Sequence, residues 1–220
     1  MSHVTAERLL VINPNSSAAV TRAIDVAVDP LRARSPFAID VMGLQGTPAG
    51  IAVQSDADQV APDVLHAMRA HPARGYVVAC FSDPGVPGAR EELGGIPVRG
   101  IGESAILHAL IVGDRFGIVA LSRSAILRQR RLVRVMGVDA RYAGSRAVDA
   151  RAEETTSALV LDRMSEAACG LVSDGADTII MGCAGMAHFR EEIEGLCGRP
   201  VIEPTRAAVA ALIGDCLLRN

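Results

Sequence analysis

Short runs of Val, Ile and Leu alternate with stretches of helical periodicity along this chain, and that alternation leaves little choice of fold. Strands are expected near Arg8–Asn13, Phe37–Met42, Tyr76–Cys80, Pro97–Gly100, Phe116–Leu121, Val138–Tyr142, Thr178–Met181 and Val201–Ile202. Helices are expected near Ser17–Val28, Asp56–His71, Gly85–Leu93, Glu103–Val112, Ala125–Met136, Glu153–Ser173, Ala187–Cys197 and Thr205–Leu218. Strand and helix in turn mean α/β with parallel, doubly wound sheets, because parallel neighbours need a crossover that a helix supplies.

The order of elements also repeats. Strand Leu9–Asn13 runs into the turn Asn13-Pro14-Asn15-Ser16-Ser17 and a helix; strand Phe116–Leu121 runs into Ser122-Arg123-Ser124 and a helix. Likewise Tyr76-Val77-Val78-Ala79-Cys80 mirrors Thr178-Ile179-Ile180-Met181-Gly182-Cys183. We therefore expect two pseudo-symmetric lobes, each with a parallel four-stranded sheet and with the active site between them. Lobe 1 is expected to take residues 1–100 and the C-terminal helix 205–220, and lobe 2 residues 101–204, with terminal helices free to exchange. Ligands of open α/β sheets sit beyond the carboxyl ends of the strands, which is where Cys80 and Cys183 fall.

Several classes of function are excluded. The net charge of −3 provides no basic field for nucleic acid, and no stretch approaches the ~20 apolar residues that span a bilayer. Met1–Glu7 is short and polar, which points to a cytosolic protein without a secretory leader. In a reducing cytosol its five cysteines read as free thiols. All 22 basic residues are arginine. Without lysine there can be no Schiff base, so pyridoxal phosphate is excluded and no other cofactor is implied. The loop Gly43–Ser55 is glycine-rich and suits a mobile wall of a cleft, but it lacks the spacing of a phosphate loop.

Two cysteines in matching contexts suit inversion of a carbon next to a carbonyl. One group takes the proton from one face and the other returns a proton to the opposite face, which thiolate and thiol do as a pair. Holding a thiolate at pH 7 costs about 2 kcal/mol for a thiol of ordinary pKa, and a helix N-terminus offsets roughly 0.3–2 kcal/mol of it. Cys80 is followed by Phe81-Ser82-Asp83-Pro84-Gly85, in which Ser82 or Asp83 fits the N-cap and Pro84 the first turn of a helix. Cys183 is followed by Ala184-Gly185-Met186, whose amides suit an anion or a developing enolate. Two thiolates facing one small substrate would repel, so the pair is expected to share one dissociable proton. A cysteine ending a buried strand is more commonly a small core residue, and Cys169, Cys197 and Cys216 are read that way.

At these residues the chain resembles the hydantoin racemase branch of the aspartate/glutamate/hydantoin racemase superfamily. The resemblance spans nearly the whole length and rests on Val11-Ile12-Asn13-Pro14-Asn15-Ser16-Ser17, Ala79-Cys80-Phe81-Ser82-Asp83-Pro84-Gly85, Gly100-Ile101-Gly102-Glu103 and Met181-Gly182-Cys183-Ala184-Gly185-Met186-Ala187. It implies a cofactor-free, metal-free racemase or epimerase with Cys80 and Cys183 as acid and base. It also implies a 5-substituted hydantoin, allantoin or related amino-acid derivative as the small-molecule substrate, and a homo-oligomer. Two departures stand out. Ser82 occupies the place of a usual glycine after the Cys-Phe pair, and Glu203-Pro204-Thr205 replaces a usual Asp-Gly pair, which reshapes the pocket.

Substrate contacts are expected from Asn13, Ser16, Ser82, Ser122, Gly185, Met186 and Glu203. Asn13, Asn15 and Ser16 share a turn whose polar groups can hold a substrate carbonyl or carboxylate, and capping by Asn15 or Ser16 is the plainer reading of those two. His188 and the run Arg123, Arg128, Arg130, Arg131 and Arg134 are read as helix surface, and Glu103 as a residue suited to a helix start. Zinc is not expected, because no close cysteine pair is present. Three other readings stand beside the leading one: an aspartate- or glutamate-type amino-acid racemase, a malonate decarboxylase or maleate isomerase relative, and a two-lobed binding protein for a small anion.

Overall fold

The structure, a computed structural model, describes residues 8–150 and 158–219. It contains eight strands, β1 (Arg8–Asn13), β2 (Ala38–Gly43), β3 (Gly75–Val78), β4 (Val98–Gly100), β5 (Phe116–Ala120), β6 (Tyr142–Ala147), β7 (Thr178–Met181) and β8 (Val201–Ile202). They form two four-stranded sheets of order β2-β1-β3-β4 and β6-β5-β7-β8. Every pairing in both is parallel. The central strands are continuous apolar runs, GYVV in β3 and TIIM in β7, buried throughout. Helices cover both faces of such sheets, so no polar alternation is needed. Among the edge strands, β2 alternates exposed and buried residues, and β8 is two residues long, which limits edge-to-edge pairing.

Among the described residues lie eight α-helices: α1 (Ala18–Arg32), α2 (Gln54–Ala70), α3 (Val86–Glu92), α4 (Ile101–Val112), α5 (Arg123–Val135), α6 (Ala158–Ser173), α7 (Arg190–Cys197) and α8 (Pro204–Leu217). Ser17 caps α1, its Oγ accepting from the Val20 amide, and the helix then buries Val20, Ile24, Ala27 and Val28 at helical spacing. In α4 the residues Ile101, Gly102, Ser104, Ala105, Ile106 and Ala109 are all buried, because this helix lies against α8 on one side and β7 of the second sheet on another. Helix α8 returns from the second sheet to pack on β3 and β4 of the first. A two-pronged ion pair between Arg99 and Asp215, at 2.6 and 2.7 Å, fixes β4 to α8.

Three local expectations change. The sixth strand starts at Tyr142 instead of Val138. Gly137, at φ +71°, ends α5, and Asp139–Arg141 coil into a 3-10 turn while the Arg141 guanidinium donates to the Gly113 carbonyl. The segment after Cys183 is also a 3-10 turn, Ala184–Phe189, and regular helix begins only at Arg190. Neither Ser82 nor Asp83 caps α3, which follows Gly85 in a left-handed conformation. The expected start of the sixth helix at Glu153 and the segment Met1–Glu7 lie outside the described residues.

Candidate active site

Both sheets reverse their winding between the strand that opens the lobe and its inner neighbour, between β1 and β3 in the first and between β5 and β7 in the second. A cleft opens at such switch points. At each, one amide carries the inner strand one residue further along its neighbour. The Ala79 N–H donates to the Ile12 carbonyl, and the Gly182 N–H donates to that of Val119, both at 2.8 Å. The next residues are Cys80 and Cys183. Both line one cavity of about 490 Å3, and each retains part of its surface open to it.

The loop carrying Cys80 is held by Asp83. Its Oδ1 accepts from the Gly102 amide at 2.9 Å and its Oδ2 from the Glu103 amide at 2.8 Å, so the acid caps α4 across the chain. The approach is too close for any side chain at position 100, where a Cβ would sit 2.1 Å from the Asp83 carboxyl carbon. Position 182 is equally tight: a Cβ there would lie 2.5 Å from the Val119 carbonyl oxygen and 2.6 Å from Gln129 Nε2.

Burial pushes the Cys80 thiol up to about 11. The Ser82 amide and the Arg128 charge oppose the rise, and Asp83 and Cys183 add to it. Burial likewise raises Cys183, against the pull of the Gly185 amide and reinforced by the Glu203 charge. Burial therefore works against ionisation at both sulfurs, and one backbone amide beside each favours its thiolate.

The expected contacts divide. Ser82 and Ser122 line the cavity. Ser122 also caps α5, accepting from the Ala125 amide, and its Oγ lies 2.9 Å from that of Ser124. Asn13, Ser16, Gly185, Met186 and Glu203 do not line it. Asn13 is fully buried, donating to Asn15 Oδ1 and Thr21 Oγ1, so it braces the turn from behind. Ser16 donates its amide to the Pro48 carbonyl and holds the neighbouring loop. Gly185 and Met186 are buried in the 3-10 turn behind Cys183. Glu203 caps α8 by accepting from the Thr205 and Arg206 amides. It lines a different and larger groove, of about 830 Å3, which is formed mainly by α4 and α8 and contains neither Cys80 nor Cys183.

Asn15, Arg128 and Gln129 also line the cavity, outside the expected contacts. Asn15 uses its Oδ1 to accept from Asn13 Nδ2 and the Ser17 amide, which leaves its own NH2 for the cavity. Arg128, read as helix surface, is half-buried and donates to Ser82 Oγ. Gln129 is buried in register with Ala125 and Val133 on the inner face of α5, and its Oε1 accepts from Ser145. A polar residue at the four-residue spacing of that buried face was the available signal. The loop Ala49–Ala52 does form one wall. His188 is exposed, as its reading required. Among the described residues no three His, Cys, Asp or Glu side chains converge to hold a metal. No described helix is long and apolar enough to cross a membrane.

The chain matches the family described as Asp/Glu/hydantoin racemase over residues 9–212. It is 35% identical over 210 residues to a hydantoin racemase from Paenarthrobacter aurescens, covering 91% of this chain and 87% of that one. In three dimensions it resembles an allantoin racemase from Klebsiella pneumoniae, with TM-score 0.86, 30% identity, and 96% of this chain and 88% of that one covered. A glutamate racemase isoform from Bacillus anthracis shares the fold, with TM-score 0.77 at 16% identity over 98% of this chain and 84% of that one.

Proposed function

The chain belongs to the Asp/Glu/hydantoin racemase family and is a racemase, and from that premise we propose that Cys80 and Cys183 invert a carbon next to a carbonyl in a hydantoin-type ring. The observation that carries the assignment is that the two cysteines end corresponding inner strands, one per sheet, and line the same cavity. A thiolate on one face removes the C–H proton. The electron pair moves into the neighbouring carbonyl as an enolate, and the thiol on the other face returns a proton to carbon. The free NH2 of Asn15 suits the enolate oxygen. Each turnover exchanges the protonation states of the two sulfurs, so the enzyme runs in either direction without a cofactor.

The lining supports an uncharged or singly anionic ring over a free amino acid. Among the described residues no carboxylate lines the cavity to receive an α-ammonium group, and Arg128 is the one ionised side chain there. The volume suits a small ring with one substituent. We take the enzyme to be cytosolic and homo-oligomeric, with lobes of residues 1–100 plus 205–220 and 101–204. Five unpaired cysteines agree with a reducing compartment.

Optical rotation tests the reading directly. Single enantiomers of 5-substituted hydantoins and of allantoin should lose rotation with the parent protein and keep it with Cys80→Ser and with Cys183→Ser. Normal racemization by either variant would overturn the two-thiol assignment. Binding without loss of rotation would mean that the ring bound is not the one this racemase inverts.

A further inference from the structure

Arg128 reaches from α5 of the second lobe into the first. Its Nε donates to Ser82 Oγ at 2.9 Å, its Nη1 to the Ala52 carbonyl at 2.7 Å, and its Nη2 to the Ile51 carbonyl at 3.4 Å. Every one of these acceptors is neutral. Arg90, Arg99, Arg146 and Arg190 each pair with a carboxylate, whereas Arg128 forms no ion pair with any carboxylate among the described residues. A half-buried cation is costly to leave without a counter-charge. Four of its five N–H groups are engaged by Ser82, the loop carbonyls and a longer contact to the Ser124 carbonyl, so it cannot also grip a ligand carboxylate with two prongs.

This charge, towards which Asp56 contributes without pairing, lines the cavity with both thiols and acts on that of Cys80. The groups that act on Cys80 are Asp83 and Cys183, which oppose its ionisation, and the Ser82 amide and Arg128, which favour it. Arg128 in turn feels Cys80, Asp56 and Arg131. Cys183 has a different set, the Gly185 amide and Glu203.

We propose that Arg128 is a positioning residue that anchors the Cys80 loop through Ser82 and supplies the counter-charge for the thiolate of Cys80, but not for that of Cys183. The inference rests on reading Cys80 as an acid/base residue, and its test needs no substrate. Iodoacetamide alkylates a thiolate with release of iodide, and peptide mass spectrometry of the full chain reads Cys80 and Cys183 separately as pH is raised. Arg128→Met should move the Cys80 labelling midpoint up by about one pH unit and slow labelling at neutral pH about tenfold. Arg128→Lys, which keeps the charge, should stay near the parent, and the Cys183 midpoint should move less than that of Cys80 in both. Should Arg128→Met not fold, Arg128→Gln retains neutral donors and carries the same comparison. An unmoved Cys80 midpoint in the neutral variant, or an equal displacement in Arg128→Lys, would overturn the proposal. A protein that labels as expected yet leaves every hydantoin's rotation intact would sink the hydantoin-type substrate and leave this inference standing.

Discussion

Replacing Asp83 with alanine should destabilise the protein more than its small size suggests, because one carboxyl ties the Cys80 loop to the start of α4. Two amides, those of Gly102 and Glu103, lose their acceptor, and that of Gly102 is buried. Each orphaned N–H costs about 1–3 kcal/mol. Asp83 also sits at φ +48°, where alanine is strained by about 1 kcal/mol more than aspartate. Against this stands the relief of a buried carboxyl, whose burial pushes it up to about 8 despite the two amides. The net loss is about 2–4 kcal/mol, which for a chain of this length lowers the thermal midpoint by about 5–12 °C. Asp83→Asn tolerates the left-handed backbone and keeps one acceptor, so it should lose about half as much. The pH dependence has a definite sign. A carboxyl that holds its proton more tightly in the folded chain than in the unfolded one contributes stability that is present below about pH 4 and declines as pH rises towards 8. Thermal unfolding followed by circular dichroism at several pH values reads both effects. An alanine variant that melts within about 2 °C of the parent, or that keeps the parent's slope between those pH values, would refute the reasoning.

Racemization should accelerate with pH, because burial raises both thiols and the proposed two-thiol mechanism needs one of them ionised. We expect kcat/KM to climb about tenfold per pH unit between about pH 6 and 8.5, and a plateau beginning below neutrality would contradict it. Gly182→Ala should lower stability by about 1–3 kcal/mol and activity by more than about a hundredfold, since the new Cβ forces the strand end bearing Cys183 to shift; parental rates in that variant would show that Cys183 tolerates displacement. Glu203→Ala should cost about 1–2 kcal/mol in urea titrations through the lost cap of α8, with KM retained. A large rise in KM would instead put that carboxylate at the substrate.

The parts of this protein legible in its sequence were those set by periodicity. Buried runs such as GYVV and TIIM announce central parallel strands, and the repeated order of elements places Cys80 and Cys183 at equivalent ends. What the sequence concealed depended on where individual side chains turn. Asn13 and Asn15 are two residues apart in one turn, yet the first faces backward to Thr21 and only the second reaches the cavity. Arg128 looks like its neighbours Arg130 and Arg131 until its partial burial against Ser82 and the Ala52 carbonyl singles it out. Glu203 occupies a strand end, the expected place for a site residue, but the amides of Thr205 and Arg206 take both its oxygens. Caps formed with neighbouring amides and contacts between distant segments carry no periodic signature.

The origin of the proton in the product tests the central claim most directly. A single enantiomer of a 5-substituted hydantoin is turned over in deuterated water, and the isotope at the reacting carbon is measured early in both product and residual substrate. A thiol carries one proton, so the thiolate that removes it from one face can return only that proton to the same face, while the opposite thiol delivers a solvent-derived one. The account predicts product with one deuterium beside residual substrate that still carries hydrogen. Deuterium appearing in residual substrate as fast as in product would mean that a single exchanging group serves both faces, and the pairing of Cys80 with Cys183 would fall.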